Sequence, residues 1–295
     1  MIQDTQSYED IYEIKISDLI STCSGHGSDI FYIPNNGNLG DALITAGTLS
    51  TFRQAGISVQ LFNNHPLHEK MTVIIAGGGN LVPYYHDVSS VLSRLMNSSV
   101  GRVVVLPHTI SGHTTLLERL DERFNIICRD RTSFAHVHEH HKGPLFLAHD
   151  MATQVKPKQL HTDYTNVIGR ANQEILFAVE RILRSAADHS HANNRHGRLF
   201  RRDIESARDD DKVSSLDLSA LQIHTWGHPV IVTIMADTFL RAIAMFDSIE
   251  TDRLHVAIAG GLLGLPVHFY ANSYFKNQAV FDYTIKDIFP SVVMT

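Results

Sequence analysis

Cysteine is scarce in this chain: its 295 residues include only two, Cys23 and Cys128. The two lie far apart and form neither a CxxC pair nor the spacing of a metal site. This pattern argues against a disulfide framework and favours a protein of a reducing compartment.

Basic residues are fewer than acidic ones: the chain has 25 Lys and Arg residues and 31 Asp and Glu residues, for a formal net charge of −6. A protein that binds nucleic acid phosphates needs a basic surface, so we expect no nucleic acid partner. The 19 histidines would add positive charge near pH 6, because an unperturbed imidazole titrates at about pH 6.5.

Long apolar runs are missing as well. A bilayer-spanning helix needs about 20 apolar residues, whereas the longest tracts here, such as 256–265, are shorter and interrupted by glycine. Residues 1–15 are acidic and lack the basic and apolar regions of a secretory signal. With 43% apolar and 19% charged residues, the composition is that of a folded globular protein, and we expect it in the cytoplasm.

What the chain does contain is a regular alternation between residues 29 and 150. Short apolar runs alternate there with longer amphipathic stretches, which is the rhythm of parallel β/α units. The predicted strands are DIFYI, SVQLF, TVIIA, RVVVL, NIIC and PLFLA. Their continuous apolar character indicates strands buried on both faces of a sheet.

The second half is less regular. A polar connection containing Pro157 is predicted over 151–166, followed by a helix, a polar turn (DHSHANNRHGR) and a strand at LFRRDIES. Near the end, TDRLHVAIAGGLLG predicts a helix with Thr251 or Asp252 near its start, and LPVHFYANS predicts a strand. The sequence therefore predicts two α/β domains with a cleft between them.

Two glycine-rich segments follow predicted strands. In NNGNLGDALI, Gly37 and Gly40 allow a ligand to approach the backbone, and Asp41 falls in the first turn of a helix whose N–H groups suit an anion. A plain strand-to-helix turn, with Asp41 complementing the helix dipole, explains this segment equally well. The second segment, AGGGNLVP, lies where open α/β sheets bind ligands, and the occurrence of two such segments favours binding.

Charged and polar groups follow other strands. LPHTI and CRDRTSF are also predicted at strand ends, and Arg129 and Arg131 flank Asp130; an arginine fork suits a carboxylate or a phosphate. A local Asp–Arg pair with a helix cap at Thr132 or Ser133 would account for one of these arginines. Near a helix start, Arg253 and His255 could combine anion binding with proton transfer.

The histidine run HVHEHHKG invites a metal interpretation, because His136 and His140 share a helix face. The HExxH pattern is incomplete, however, since Lys142 stands where the second histidine belongs. A solvated helix face is the favoured interpretation, and we predict no metal site.

Taken in order, these segments resemble the polysaccharide pyruvyl transferase family. The resemblance covers roughly residues 31–285 and lies in GNLGDALI, IIAGGGNL, VLPHTI, CRDRTSF, LAHDMA, LFRRDIES, TDRLHVAIAGGLLGLPV and NSYFKNQAVF. No segment is diagnostic alone, but the ordered set is specific. The chain departs from the family at Val256, where a small residue or glycine is frequent, and at His149, where proline often precedes the aspartate. Residues 216–250 match poorly, which leaves acceptor contacts there open.

The resemblance implies two Rossmann-like domains facing a cleft, as in GT-B glycosyltransferases, with 1–155 on the acceptor side and 156–295 on the donor side. It implies transfer of pyruvate from phosphoenolpyruvate to a sugar of a surface or exported polysaccharide, giving a cyclic ketal, without a cofactor. The acceptor would be a glycan or a lipid-linked oligosaccharide. A lipid-linked acceptor would bring the protein to the inner face of the membrane as a peripheral partner.

The resemblance also suggests roles for individual residues. His255 is expected as general acid or base, with Arg253 beside it and Asp41 or His108 orienting the acceptor. The expected donor-binding residues supply positive charge or hydrogen bonds to a dense anion: Arg129, Arg201, Arg202, Arg253, Asn272, Ser273 and Lys276. The expected acceptor-binding residues lie in the segments after the first strands: Asn38, Gly40, Asp41, Gly78, Gly79, Asn80 and His108.

Two other functions fit the same two-domain shape. One is a nucleotide-sugar glycosyltransferase that would hold a nucleotide on its second domain. The other is a non-catalytic carbohydrate- or partner-binding protein, because a fold alone does not determine function. The arginines and the histidine that match the family favour the pyruvyl transferase.

Overall fold

The computed structural model describes residues 15–16, 18, 29–35, 37–63, 65–160, 173–207, 215–218 and 229–295. The strands, numbered β1 to β11, are Asp29–Ile33, Gln60–Leu61, Met71–Ile75, Gly78–Leu81, Arg102–Ile110, Phe124–Cys128, Leu145–Leu147, His196–Leu199, Ser248–Thr251, Val267–Phe269 and Val292–Met294. The α-helices, numbered α1 to α10, are Leu39–Gln54, Asp87–Met96, Thr114–Arg119, Arg131–His140, Pro157–Leu160, Gln173–Ala192, Pro229–Ile243, Leu254–Leu262, Lys276–Val280 and Lys286–Ile288.

The strands form two parallel sheets. The first has the order β2-β1-β3-β5-β6-β7, with β4 pairing with β5, and the second has the order β11-β10-β9-β8. The first sheet thus lies within residues 29–147 and the second within 196–294, which confirms the predicted α/β class. The exact domain boundary, expected between residues 155 and 156, stays a prediction.

The first sheet is buried on both faces, as its apolar strands predict. Alternate residues of β5 enter different apolar clusters: Val104 and Leu106 pack on one face, whereas Val103 and Val105 pack on the other. Helices therefore cover both sides, and the carboxyl ends of the strands are left as the edge at which a ligand can bind.

Helix α1 joins the two halves of the molecule. Ten of its 16 residues are buried, because it packs against α7, α8 and the 3₁₀ turn Met151–Gln154. A Cβ atom at Gly47 would lie 1.9 Å from the carbonyl oxygen of Met151, so glycine permits this close contact. One apolar core consequently runs from Ile74 in the first sheet to Ile249 in the second.

The prediction for LFRRDIES was wrong about where the strand lies. Helix α6 continues to Ala192, the chain turns through Asn194 and Arg195 with positive φ angles, and β8 begins at His196. Because β8 is an edge strand, His196 and Arg198 can stay half-buried while the alternate residues are buried. The arginines of LFRRDIES thus lie in the loop after the strand.

Several boundaries also differ from the sequence predictions. LPHTI lies inside β5 and the GGNL segment forms β4, so neither is only a strand exit. Helix α8 begins at Leu254, with Arg253 as its N-cap. Met151 and Ala152 are buried, so the start of the expected polar connection belongs to the core.

The expectations for Cys23, residues 1–14 and 161–166 concern residues outside the described ranges. Within the described ranges, no helix combines the length and the apolar character needed to cross a membrane.

Candidate active site

A cleft of about 400 Å³ opens at the carboxyl ends of the strands of both sheets. Arg129 directly follows β6, Arg201 comes shortly after β8, and Arg253 lies two residues beyond the end of β9. Parallel sheets bind ligands at these ends, so the topology brings distant residues together. The lining residues are Asn35, Gly37, Asn38, Asp41, Gly79, Asn80, Tyr85, Asp87, Arg129, Arg201, Asp203, Glu205, Arg253, Leu254, His255 and Lys276.

A buried ion pair forms the floor on the side of the first sheet. The Nη1 atom of Arg129 donates to Oδ2 of Asp150 at 2.6 Å, and both side chains are 1% exposed. Arg129 also donates from Nε to the hydroxyl of Thr109 at 2.9 Å. Burial alone would raise the pKa of Asp150, but Arg129, the nearby His255 and the N–H of Ala152 together outweigh it and hold that pKa well below its usual range, so the carboxylate is ionised at neutral pH.

His255, in the first turn of α8, faces this pair. Its Nε2 atom lies 3.7 Å from Oδ2 of Asp150, too far for a direct hydrogen bond. Among the described residues, that nitrogen is buried without a hydrogen-bond partner. A buried imidazole nitrogen beside a fixed carboxylate, at the wall of a cleft, is a candidate for proton transfer.

Gly40 is required by the position of His255. A Cβ atom at Gly40 would lie 2.4 Å from Nδ1 of His255 and 2.8 Å from its Cγ atom. The bare backbone of NNGNLGDALI therefore makes room for the imidazole of the other half of the molecule, a contact that no local sequence pattern encodes.

Gly40→Ala is expected to reduce activity more than stability. Gly40 lies in the first turn of α1, where alanine favours the helix by up to about 1 kcal/mol, but its methyl group would displace the His255 ring. We expect kcat to fall about tenfold or more, since misplacing a catalytic group by about 1 Å can cost 100-fold, with little change in the urea midpoint. In a His255→Ala background the same change should cost no further activity; an equal loss in both backgrounds would contradict this assignment.

Asp41 has a structural bond as well as a place in the cleft. Its Oδ2 accepts from the backbone N–H of Asn38 at 2.9 Å, while Oδ1 of Asn38 accepts from the N–H of Gly40 at 2.8 Å. This is a capping box at the start of α1. The capping interpretation of Asp41 is thus present in the structure, and its role in orienting an acceptor stays a prediction.

The opposite wall carries an arginine cluster from the second sheet. Arg253 donates from Nε and Nη2 to the carboxylate of Asp217 and pairs through Nη1 with Asp203 at 2.9 Å. Arg201 pairs with Asp203 at 2.8 Å and with Glu205 at 2.7 Å. Bidentate and shared pairs of this kind fix guanidinium groups in orientation.

Glu205 is the centre of the polar network at the mouth. Its carboxylate accepts from Nζ of Lys276, from the hydroxyl of Tyr85 at 2.8 Å and from Nδ2 of Asn272 at 3.3 Å. Burial would raise the pKa of Glu205, but the charges of Lys276 and Arg201 outweigh it and lower that pKa to about 2. Burial, aided by Arg201 and Arg129, lowers the pKa of Lys276 to about 8 against the opposing effect of Glu205.

The cationic side chains of the cleft are therefore held in fixed positions, and carboxylates neutralise their charge. The sequence predicted arginines awaiting an anion, whereas each cationic side chain that lines the cleft already contacts a carboxylate in this state. A ligand with two anionic groups would have to share or replace these carboxylate partners.

Some predicted site residues lie outside the lining. His108 is completely buried in β5, where its Nε2 contacts Oδ1 of Asn80 at 2.9 Å, and burial lowers its pKa to about 3. A neutral His108 thus contacts Asn80 from within the sheet, and its expected contact with an acceptor stays a prediction. Arg202 is exposed and donates to the carbonyl oxygen of Ser215, and the backbone N–H of Ser273 donates to the carbonyl oxygen of Glu205, so the structure gives both a supporting position.

Two glycines of AGGGNL are each required by a different neighbouring side chain. A Cβ atom at Gly79 would lie 2.6 Å from Nη2 of Arg129, so glycine admits that side chain to the cleft. Gly78 has a φ of 156°, and a Cβ atom there would meet Nδ2 of Asn35 at 2.5 Å. The histidine run lies away from these residues: His136 contacts the carbonyl oxygen of Gly112 at 2.8 Å, and His140 lies near Glu118.

The sequence did not indicate several acidic or phenolic residues of the site: Tyr85, Asp87, Asp150, Asp203 and Glu205. Asp150, Asp203 and Glu205 lie within LAHDMA and LFRRDIES, two of the segments that carry the family resemblance. The carboxylates of these two segments hold cations of the cleft in position.

Known proteins resemble this chain in sequence and in fold. The family model for polysaccharide pyruvyl transferase matches residues 38–274. The Bacillus subtilis (strain 168) protein named "Putative pyruvyl transferase EpsO" is 26% identical over 285 residues, covering 86% of this chain and 84% of that protein. A crystal structure of the uncharacterized protein KP1_0663 from Klebsiella pneumoniae subsp. pneumoniae NTUH-K2044 superposes with a TM-score of 0.71 at 21% identity, covering 94% of this chain and 96% of the other, which shows a shared fold.

The family match spans the glycine segments of the first sheet, the Arg129–Asp150 pair and the Arg253–His255 segment that meets it across the cleft. The chain therefore belongs to the polysaccharide pyruvyl transferase family.

Proposed function

We propose that this polysaccharide pyruvyl transferase takes pyruvate from phosphoenolpyruvate and joins it, as a cyclic ketal, to two hydroxyls of one sugar. The observation that carries the proposal is the position of His255, between the buried Arg129–Asp150 pair and the arginine cluster of the second sheet. A proton-transfer group and a dense set of cations are what this donor requires.

The donor binds on the cationic wall. Phosphoenolpyruvate carries a carboxylate and a phosphate, and Arg201, Arg253 and Lys276 line the same cleft. Guanidinium groups recognise both kinds of anion through paired N–H bonds. The side chain of Asp203 is 38% exposed, whereas those of its partners Arg201 and Arg253 are 5% and 10% exposed. Asp203 is therefore the carboxylate that the ligand most easily replaces.

The reaction then follows from the chemistry of the enol ester. His255 gives a proton to the methylene carbon C3, which makes C2 electrophilic. One sugar hydroxyl adds to C2, the bond from C2 to the phosphate oxygen breaks, and a second hydroxyl closes the ring. Two C–O bonds form and one breaks; one hydroxyl proton restores His255 and the other leaves with inorganic phosphate.

Asp150 and Arg129 support the proton transfer by His255. The Asp150 carboxylate, fixed by Arg129 and by the N–H of Ala152 at 2.8 Å, stabilises the imidazolium that is present before proton donation. Arg129 is thus assigned chiefly to holding Asp150, with its remaining N–H groups toward the cleft near Gly79.

The acceptor enters from the first sheet, where Asn38, Asp41 and Asn80 line the cleft. These polar groups can hold sugar hydroxyls near His255. The acceptor is a glycan or a lipid-linked oligosaccharide, which in the second case would bring the cytoplasmic protein to the inner face of a membrane.

The test is incubation with phosphoenolpyruvate and a panel of glycans and lipid-linked oligosaccharides. We expect inorganic phosphate and a pyruvylated product in equal amounts, measured by phosphate assay and mass spectrometry. Phosphoenolpyruvate should also raise the apparent melting temperature, because a ligand at 100 times its Kd adds about 2.7 kcal/mol of stability. Stabilisation by UDP-sugars instead, with no consumption of phosphoenolpyruvate, would favour the nucleotide-sugar glycosyltransferase and overturn the proposal.

A further inference from the structure

Six large apolar side chains are exposed among the described residues, and two of them adjoin the cleft. Tyr84 is 47% exposed and Ile204 is 68% exposed. Tyr84 directly precedes Tyr85, and Ile204 lies between Asp203 and Glu205. The three neighbours, Tyr85, Asp203 and Glu205, line the cleft. Contiguous exposed apolar surface can form part of a ligand-binding groove.

The ring of Tyr84 is held by an aromatic contact. It contacts the ring of Tyr274 edge to face, with 5.8 Å between centroids, and Nζ of Lys276 lies 5.2 Å from the centroid of Tyr274. Tyr274 in turn packs edge to face on Phe275. The ring of Tyr274 therefore lies between Tyr84 and the ammonium group of Lys276, and aromatic contacts fix the position of Tyr84.

The loops that carry the two exposed residues are joined. The hydroxyl of Tyr85 donates to Oε1 of Glu205 at 2.8 Å, which links the segment after β4 to the segment after β8. Tyr84 and Ile204 therefore lie on adjoining loops at the mouth, above a cleft whose lining is otherwise mostly charged and polar.

This arrangement suits one chemical class. A pyranose ring has apolar C–H faces and a polar edge, so it can lie on an aromatic ring while its hydroxyls point into a polar cleft. Tyrosine combines an apolar ring with a polar tip and is well suited to such a half-wet position.

We propose that Tyr84, supported by Tyr274 and with Ile204 on the adjoining loop, is the platform on which a pyranose ring of the acceptor stacks. The inference rests on the function proposed above, and it deepens that function by placing the sugar at the mouth of the cleft. Tyr84 is a binding residue in this assignment, and the donor is held deeper, by the cations.

The experiment uses saturation-transfer NMR on the full chain with methyl pyranosides of glucose, galactose, mannose and N-acetylglucosamine, in the presence of phosphoenolpyruvate. We expect transfer to the ring C–H protons of at least one pyranoside in the wild type. The signal should fall severalfold in Tyr84→Ala and persist in Tyr84→Phe. Phe177→Ala is the matched control, because Phe177 is another exposed aromatic residue, 66% exposed, on α6.

Kinetics give a second measurement. With an acceptor that is turned over, Tyr84→Ala should raise the acceptor KM about tenfold and leave the KM for phosphoenolpyruvate unchanged. Undiminished saturation transfer in Tyr84→Ala, or none to any pyranoside in the wild type, would overturn the platform. Pyranoside binding that depends on Tyr84 without any ketal formation would instead refute the proposed reaction and leave the platform standing.

Discussion

His255→Ala is expected to lower kcat for ketal formation by about 100- to 10,000-fold, the usual contribution of a positioned general acid or base. This corresponds to about 3 to 5 kcal/mol of lost transition-state stabilisation. The reason is geometric: the only described imidazole that lines the cleft is His255, and its buried Nε2 lies 3.7 Å from Asp150. Phosphate release from phosphoenolpyruvate, measured with a saturating acceptor, gives the rate.

The control is His191→Ala, which removes an exposed imidazole from α6 and should leave kcat unchanged. Arg253→Ala should act differently, because loss of a donor contact raises the KM for phosphoenolpyruvate as well. Wild-type turnover by a folded His255→Ala protein would remove the catalytic role assigned to this residue.

Arg129→Met is expected to destabilise the fold by about 3 to 5 kcal/mol, because it leaves the Asp150 carboxylate buried without its partner. Both side chains are 1% exposed, so water cannot replace the lost interaction. The loss is a large part of a typical total stability of about 5 to 15 kcal/mol. Urea unfolding followed by circular dichroism measures it.

Two companion variants separate stability from catalysis. Arg129→Met combined with Asp150→Leu removes both charges and should recover much of the lost stability, because a buried pair can often be replaced by apolar residues, yet stay inactive. Asp150→Asn keeps the size of the side chain and should lower kcat more than it changes the KM for phosphoenolpyruvate. Full activity in a folded Asp150→Asn protein would contradict the role of Asp150 behind His255.

The fold class and several segments of the candidate site can be predicted from the amino-acid sequence. Apolar runs such as those of β3 and β5 can be buried on both faces of a parallel sheet, and the residues that follow such strands must gather at one edge. The strand pattern alone therefore indicates the segments around Gly40, Gly79 and Arg129 as parts of a site, and the predicted helix start adds Arg253. The pattern is less informative at β8, since an edge strand with polar residues lacks the apolar signal.

The contacts between residues of the candidate site depend on the three-dimensional fold. Asp150 and His255, or Glu205 and Lys276, are far apart in the chain, and no local spacing encodes their contact. Whether a charge is paired also depends on burial, which the three-dimensional packing sets, so the family segments contain most of the compensating carboxylates without showing which cation each one pairs with. The same holds for Gly40: its backbone is bare because the imidazole of His255, carried by the other sheet, occupies the space of a side chain.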